Sequence, residues 1–252
     1  MEPSLFYSEW DRIIREWYAN KNALACLMDK GHTLSMNHVP EPYYGDMDNC
    51  SIVIINLNPG TGLLEQHWNN RNNPTMMVNE IKQTSYSGFS RSFPMLAGSG
   101  KGPAPSVKWW KRRKAWIDRI LNSAQVDDRN MPFAIELVPL HSKSFKVAQT
   151  DGYVKKMATN YPDLDVIEAI EYAIAHSDAK MGLAVGRPIY DVLTQNGFDI
   201  ICKPFSPDPG IKRTYAVIGR KEKILCTWSS GSNSAPAKAF AGHEKSIIQK
   251  YI

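Results

Sequence analysis

The sequence predicts an α/β protein whose mainly parallel sheet is covered by helices on both faces. Three observations lead there. The run Ile52-Val53-Ile54-Ile55 is short, β-branched and without alternation, the pattern of a strand buried on both sides. Apolar strand patterns at 133–138 and 181–186 alternate with helical periodicity at 109–121, 165–176 and 188–196, which implies right-handed crossovers between parallel strands. Finally, 252 residues with 43% hydrophobic and 22% charged side chains suffice for one large core, and no linker-like composition divides the chain. One domain over 1–252 is therefore expected, with 1–48 as a helical decoration and 51–252 as the core.

Taken in order, Trp10, Ile13, Ile14, Trp17, Tyr18, Leu24 and Leu27 form one apolar stripe on a helix over 10–28, ended by Gly31. Residues 32–49 hold Pro40, Pro42 and Gly45 and read as a surface loop. The first strand then meets Asn56-Leu57-Asn58-Pro59-Gly60. Pro59 cannot donate to a ladder and Gly60 admits angles closed to other residues, so the strand stops there.

A long polar stretch runs to about Gly102, including Ser87-Gly88-Phe89-Ser90-Arg91-Ser92-Phe93-Pro94. Its embedded aromatics argue for a functional loop over simple disorder. The helix at 109–121 turns Trp109, Trp116, Ile117, Ile120 and Leu121 inward and Lys111, Arg112, Arg113 and Lys114 largely outward. A strand at 133–138 is stopped by Pro139. The helix at 165–176 leads to the strand at 181–186, and Pro188 and Gly197 bracket the next helix. Strands at 215–218 and 224–228 join through Gly219-Arg220-Lys221, and a last helix covers 243–251.

The formal charge of +5 fits a polyanionic partner without requiring one. No run approaches the ~18 apolar residues of a membrane helix, and Met1 to Leu5 do not open a signal segment. A cytoplasmic protein is expected, or a nuclear one in a eukaryote. Cys26, Cys50, Cys202 and Cys226 form no C-x-x-C pair, so zinc ribbons and redox dithiols lack support and buried thiols are expected. No G-x-G-x-x-G, P-loop or G-x-S-x-G motif supports dinucleotide, nucleoside-triphosphate or serine-hydrolase chemistry.

Three strand ends carry polar residues: Asn56 to Gly60, then Glu136-Leu137-Val138-Pro139-Leu140-His141-Ser142, then Thr227-Trp228-Ser229-Ser230-Gly231-Ser232-Asn233. In a parallel sheet they share one edge, where open α/β folds bind ligands. Taken singly, each is also an ordinary turn or surface loop.

In their order, these motifs resemble the uracil-DNA glycosylase superfamily, in its mismatch-specific and single-strand-selective branches. Asn58-Pro59-Gly60 is similar to the family's first motif, Glu136-x-x-Pro139-Leu140 stands where the second belongs, and Ser230-Gly231-Ser232-Asn233 fits the third. The Ala184-Val185-Gly186-Arg187-Pro188 turn resembles a further family segment. The resemblance implies a three-layer α/β/α fold with a central mainly parallel four-stranded sheet. It also implies an enzyme that hydrolyses the N-glycosidic bond of a damaged or deaminated, uracil-like base in single- or double-stranded DNA, as a monomer and without metal or organic cofactor.

By the same resemblance Asn58 would orient the attacking water, with Asn56 and Gly60 beside it. Phe89 or Phe93 would stack on the extruded base, and the residues do not choose between them or exclude simple packing. Ser230, Gly231, Ser232 and Asn233 would grip the strand backbone. Two departures stand out. Glu136 occupies the place of a base-reading Asn; an ionised carboxylate only accepts hydrogen bonds, so it suits donor-bearing bases or general-base work. Trp228 stands where a His or Asn should stabilise the departing base, and indole carries no proton. His141 reads either as a titrating substitute or as a structural histidine. Lys111, Arg112, Arg113 and Lys114 offer a phosphate-binding face. Two other readings remain: a non-catalytic nucleic-acid binder with the same fold, and a hydrolase of free nucleosides or nucleotides.

Overall fold

The computed structural model describes residues 1–20, 24, 34–35, 38–57, 59, 76–91, 104–121, 131–142, 147–208, 210, 212–229 and 235–252. In chain order the elements are α1 (Pro3–Ala19), β1 (Leu34–Ser35), β2 (Tyr43–Tyr44), β3 (Val53–Asn56), α2 (Met76–Gln83), α3 (Tyr86–Ser90), α4 (Ala104–Leu121), β4 (Phe133–Glu136), β5 (His141–Ser142) and α5 (Val147–Asn160). There follow α6 (Val166–His176), β6 (Met181–Val185), α7 (Arg187–Gln195), β7 (Asp199–Phe205), β8 (Arg213–Gly219), β9 (Lys223–Ser229) and α8 (Ala241–Tyr251).

The main sheet has seven strands in the order β2-β4-β3-β6-β9-β8-β7, while β1 and β5 pair separately. Its centre, β4-β3-β6-β9, is parallel throughout. The mainly parallel sheet expected from sequence is present, but it is not four-stranded: among the described residues antiparallel β2 extends it at one edge and β8 and β7 at the other. The chain leaves β3 for β4 on one side, then crosses back to β6 and on to β9. The crossover direction therefore reverses between β3 and β6, which makes their carboxyl ends the switch point of the sheet.

Alternation along the strands separates two faces. Ile55, Gly182 and Ile224 face α6, whose Ile174 lies against Gly182. The other face carries Glu136, Asn56, Thr227 and Tyr215 towards α4 and α8, which are tied by Trp116 Nε1 donating to Glu244 Oε1 at 2.9 Å. Helices thus flank a central sheet in three layers. Ile52 to Ile55, Leu183, Ala184, Leu225 and Cys226 are fully enclosed between them.

Local chemistry explains the boundaries. Asp165 accepts from the amides of Ile167 and Glu168 and so starts α6. Gly186, at φ +133°, makes the turn from β6 into α7 that a side chain would strain.

Three sequence expectations are corrected. The first helix begins at Pro3, which suits a first-turn position, and stops at Ala19, where Asn20 turns extended, so it does not reach residue 28. Within 32–49, Val39, Tyr43, Tyr44 and Met47 are buried and β2 joins the sheet, so the described part of that segment is no surface loop. The expected long polar loop contains α2 and α3, the latter capped by Ser85. The described cysteines, Cys50, Cys202 and Cys226, are free thiols, two of them buried. At the opposite, amino edge of the sheet Lys223 Nζ donates to the carbonyl of Ile252 at 3.3 Å.

Candidate functional site

The described parts of the three polar strand ends share one edge of the sheet. Leu137 and Val138 donate their amides to the carbonyls of Asn56 and Leu57, and Ser142 donates to Pro59, which ties the first two segments together. Gly186 donates to the carbonyl of Thr227, placing the end of β9 beside the β6–α7 turn. In the sheet register Asn56 stands opposite Glu136, while β6 separates β3 from β9 by roughly 10 Å in all.

Asn56 Nδ2 donates to Glu136 Oε1 at 3.0 Å. Glu136 keeps some surface as a residue, but its Oε2 is enclosed and has no hydrogen-bond partner among the described residues. Burial pushes the Glu136 carboxyl up to about 8; Glu41 nearby adds to the rise, while the Asn56 bond and the Arg113 charge oppose it. At neutral pH this carboxyl holds its proton. It is then a hydrogen-bond donor through one oxygen, unlike the acceptor-only group expected of an ionised glutamate, and burial supplies the raised pKa on which the general-base reading depended.

Arg113 is corrected most. It is buried, not on the basic surface, with its guanidinium 4.7 Å from the centre of the Trp109 ring. Burial brings it down to about 10, with Glu136 working against that fall and Arg213 adding to it. Helical spacing accounts for this: Arg113 follows Trp109 by four and precedes Trp116 by three, so it lies on their inward stripe. Lys111, Arg112 and Lys114 are exposed as expected, Lys114 in an ion pair with Asp118 at 2.9 Å.

His141 is wholly buried in β5, its Nε2 hydrogen-bonded to Glu41 Oε1 at 3.1 Å and its ring 5.1 Å from that of His38. Glu41, its partner, is also among the charges that raise the Glu136 carboxyl. Sequence reasoning missed Glu41 because it lies between two prolines in a stretch that reads as loop; the β-favouring Tyr43-Tyr44 pair just after it was the available signal.

Phe89 is enclosed in α3 and its ring has no open face for a base in this state. Trp228 follows the opposite pleat from Thr227 and packs on α7, 5.3 Å from the Tyr190 ring and with Arg187 5.6 Å over its own. It does not join the Asn56–Glu136 pair. Asn58, Gly60, Phe93, Ser230, Gly231, Ser232 and Asn233 lie outside the described residues.

Further along the same face Arg213 Nη1 donates to Thr227 Oγ1 at 3.2 Å, and burial raises Glu244 to about 7 against the opposing Trp116 bond. A polar layer thus continues beneath α4 and α8. No group of three or more His, Cys, Asp or Glu among the described residues is placed to hold a metal ion, and no helix among them is long and apolar enough to cross a membrane. The chain matches no family model, no curated protein and no solved structure.

Proposed function

We propose that this protein is a glycosylase-like hydrolase that cleaves the N-glycosidic bond of a damaged or deaminated base in DNA. One observation carries the reading: an enclosed carboxyl, oriented by a carboxamide, stands at the carboxyl ends of adjacent parallel strands beside the switch point. Such an edge is where an α/β sheet meets a ligand. A neutral acid and an amide there can hydrogen-bond a base that has left the stack. In sequence Asn58 comes two residues after Asn56, the last residue of β3, and Lys111 and Arg112 on α4 are exposed to meet phosphates.

A second reading, a nucleic-acid binder without catalysis, is favoured by Trp228, which packs on α7 and leaves the leaving-group position without a proton carrier. Labelled single- and double-stranded oligonucleotides carrying uracil, hypoxanthine, xanthine or a mismatch separate the two. Alkali-labile sites that disappear in Asn58→Ala, with the fold retained, support the enzyme. Intact strands that still shift on a gel support the binder, and no binding at all sinks both.

A further inference from the structure

We infer that Glu136 reads its ligand as a neutral carboxylic acid and selects a lactam edge, a ring carbonyl beside an N–H, through Oε2–H and Oε1 together. The inference deepens the proposed function and rests on it for the ligand, but its chemistry is set by the geometry. Asn56 can only donate through Nδ2, so the oxygen it meets, Oε1, is the carbonyl oxygen, and the proton sits on Oε2. That oxygen is enclosed and without a partner among the described residues. A buried hydroxyl left unpaired is costly, and a ligand carbonyl would satisfy it.

Oε1 retains a second lone pair for the N–H of the same edge. Acid and lactam then close two parallel hydrogen bonds, as a Gln would. Uracil, hypoxanthine and xanthine present such an edge, and so do thymine and guanine. Contact with Oε2 needs its present cover to move aside, as lids and loops do on binding.

Every neighbour on the surrounding elements enters the proton balance. Asn56 on β3 and Arg113 on α4 favour the anion, while burial and Glu41, ahead of β2, oppose it. Arg213 lowers Arg113 in turn. Tyr44 on β2 and Tyr86 on α3 are held protonated by their own burial and so add no charge. His141 bears on Glu136 through its bond to Glu41.

The test has two parts. Infrared difference spectra of the wild type against Glu136→Gln report the carboxyl directly: a protonated-acid band is expected two pH units below about 8 and absent two units above it. A carboxyl already ionised at the lower pH overturns the inference and leaves the glycosylase reading standing. The second part adds free uracil, with 3-methyluracil as the blocked control, and follows the same band. A shift with uracil alone supports lactam recognition, and no shift at saturating uracil overturns it.

Excision of uracil or hypoxanthine should fall about tenfold per pH unit above about 8 in the wild type. E136Q, whose amide donates at any pH, should lose that limb, its rate relative to its own rate at about pH 7 staying flat above about 8, and Glu136→Leu should lose the base preference altogether. An E136Q enzyme with the wild-type alkaline limb overturns the assignment. If uracil shifts the band but no strand is ever cleaved, the lactam site stands and the glycosylase reading fails.

Discussion

Replacing Glu136 by Gln should change the pH dependence of folding in a calculable way. In the fold this carboxyl is raised from an ordinary 4.5 to about 8. The native state therefore binds a proton that the unfolded chain has released between those values, and stability falls as pH rises through that window. Its contribution is complete below about 4.5 and gone above about 8. One proton corresponds to about 1.4 kcal/mol per pH unit, so the full window amounts to at most about 5 kcal/mol, less whatever water penetration relieves. E136Q keeps the shape and the Asn56 hydrogen bond but cannot titrate. Glu244, also raised, to about 7, slopes the same way in both proteins and cancels in the difference. Arg113, at about 10, stays charged across the window. Urea unfolding at half-unit steps from about pH 5 to 9 measures the quantity directly. The gap between wild type and E136Q should drift against the wild type by about 1 kcal/mol per pH unit. A gap that stays constant means the carboxyl is already ionised in the fold, and the reasoning from enclosure is wrong.

Four further outcomes are expected. Gly182→Ala puts a methyl 2.9 Å from Ile174 Cδ1 and 3.2 Å from Ile224 Cγ1, between α6 and the sheet, and should cost about 1–3 kcal/mol by chemical denaturation. Asp165→Ala removes the cap of α6 and should cost about 1 kcal/mol with little effect on oligonucleotide binding. Trp116→Phe leaves Glu244 Oε1 without its indole donor, should cost about 1–3 kcal/mol, and should raise the Glu244 carboxyl further, read by the pH dependence of stability. Lys111→Ala with Arg112→Ala should leave the fold intact and flatten the salt dependence of DNA affinity, by about 0.9 in log–log slope for each phosphate no longer neutralised.

What could be read in the sequence followed how local its physics is. Ile52 to Ile55 announces β3 because β-branching and the Pro59 stop act within a few residues, and Asp165 and Pro188 mark the starts of α6 and α7 for the same reason. β2 was only faintly marked: its β-favouring Tyr43-Tyr44 pair is too short to announce a strand by itself and becomes one by pairing with β4, whose Ala134 and Ile135 lie far along the chain. The exposed β7, with Ile200 and Ile201 in solvent, has no inward-outward alternation to reveal it. At the site, adjacency of the strand ends followed from parallel topology, whereas two facts needed coordinates. Burial, not residue type, decides that Glu136 is an acid; pleat alternation, not motif order, sends Trp228 to the other face.

The position of Ile252 against Lys223 has a practical bearing on how the protein is handled. Because β9 runs from that contact to the edge that carries Glu136 and Asn56, a polypeptide added after Ile252 emerges at the far end of the sheet. Attachment to a sensor surface through that end would hold the molecule with its polar strand ends towards the solution. An oligonucleotide arriving from bulk then meets the side that matters, and a fluorophore placed there reports tumbling of the whole body without crowding the approach.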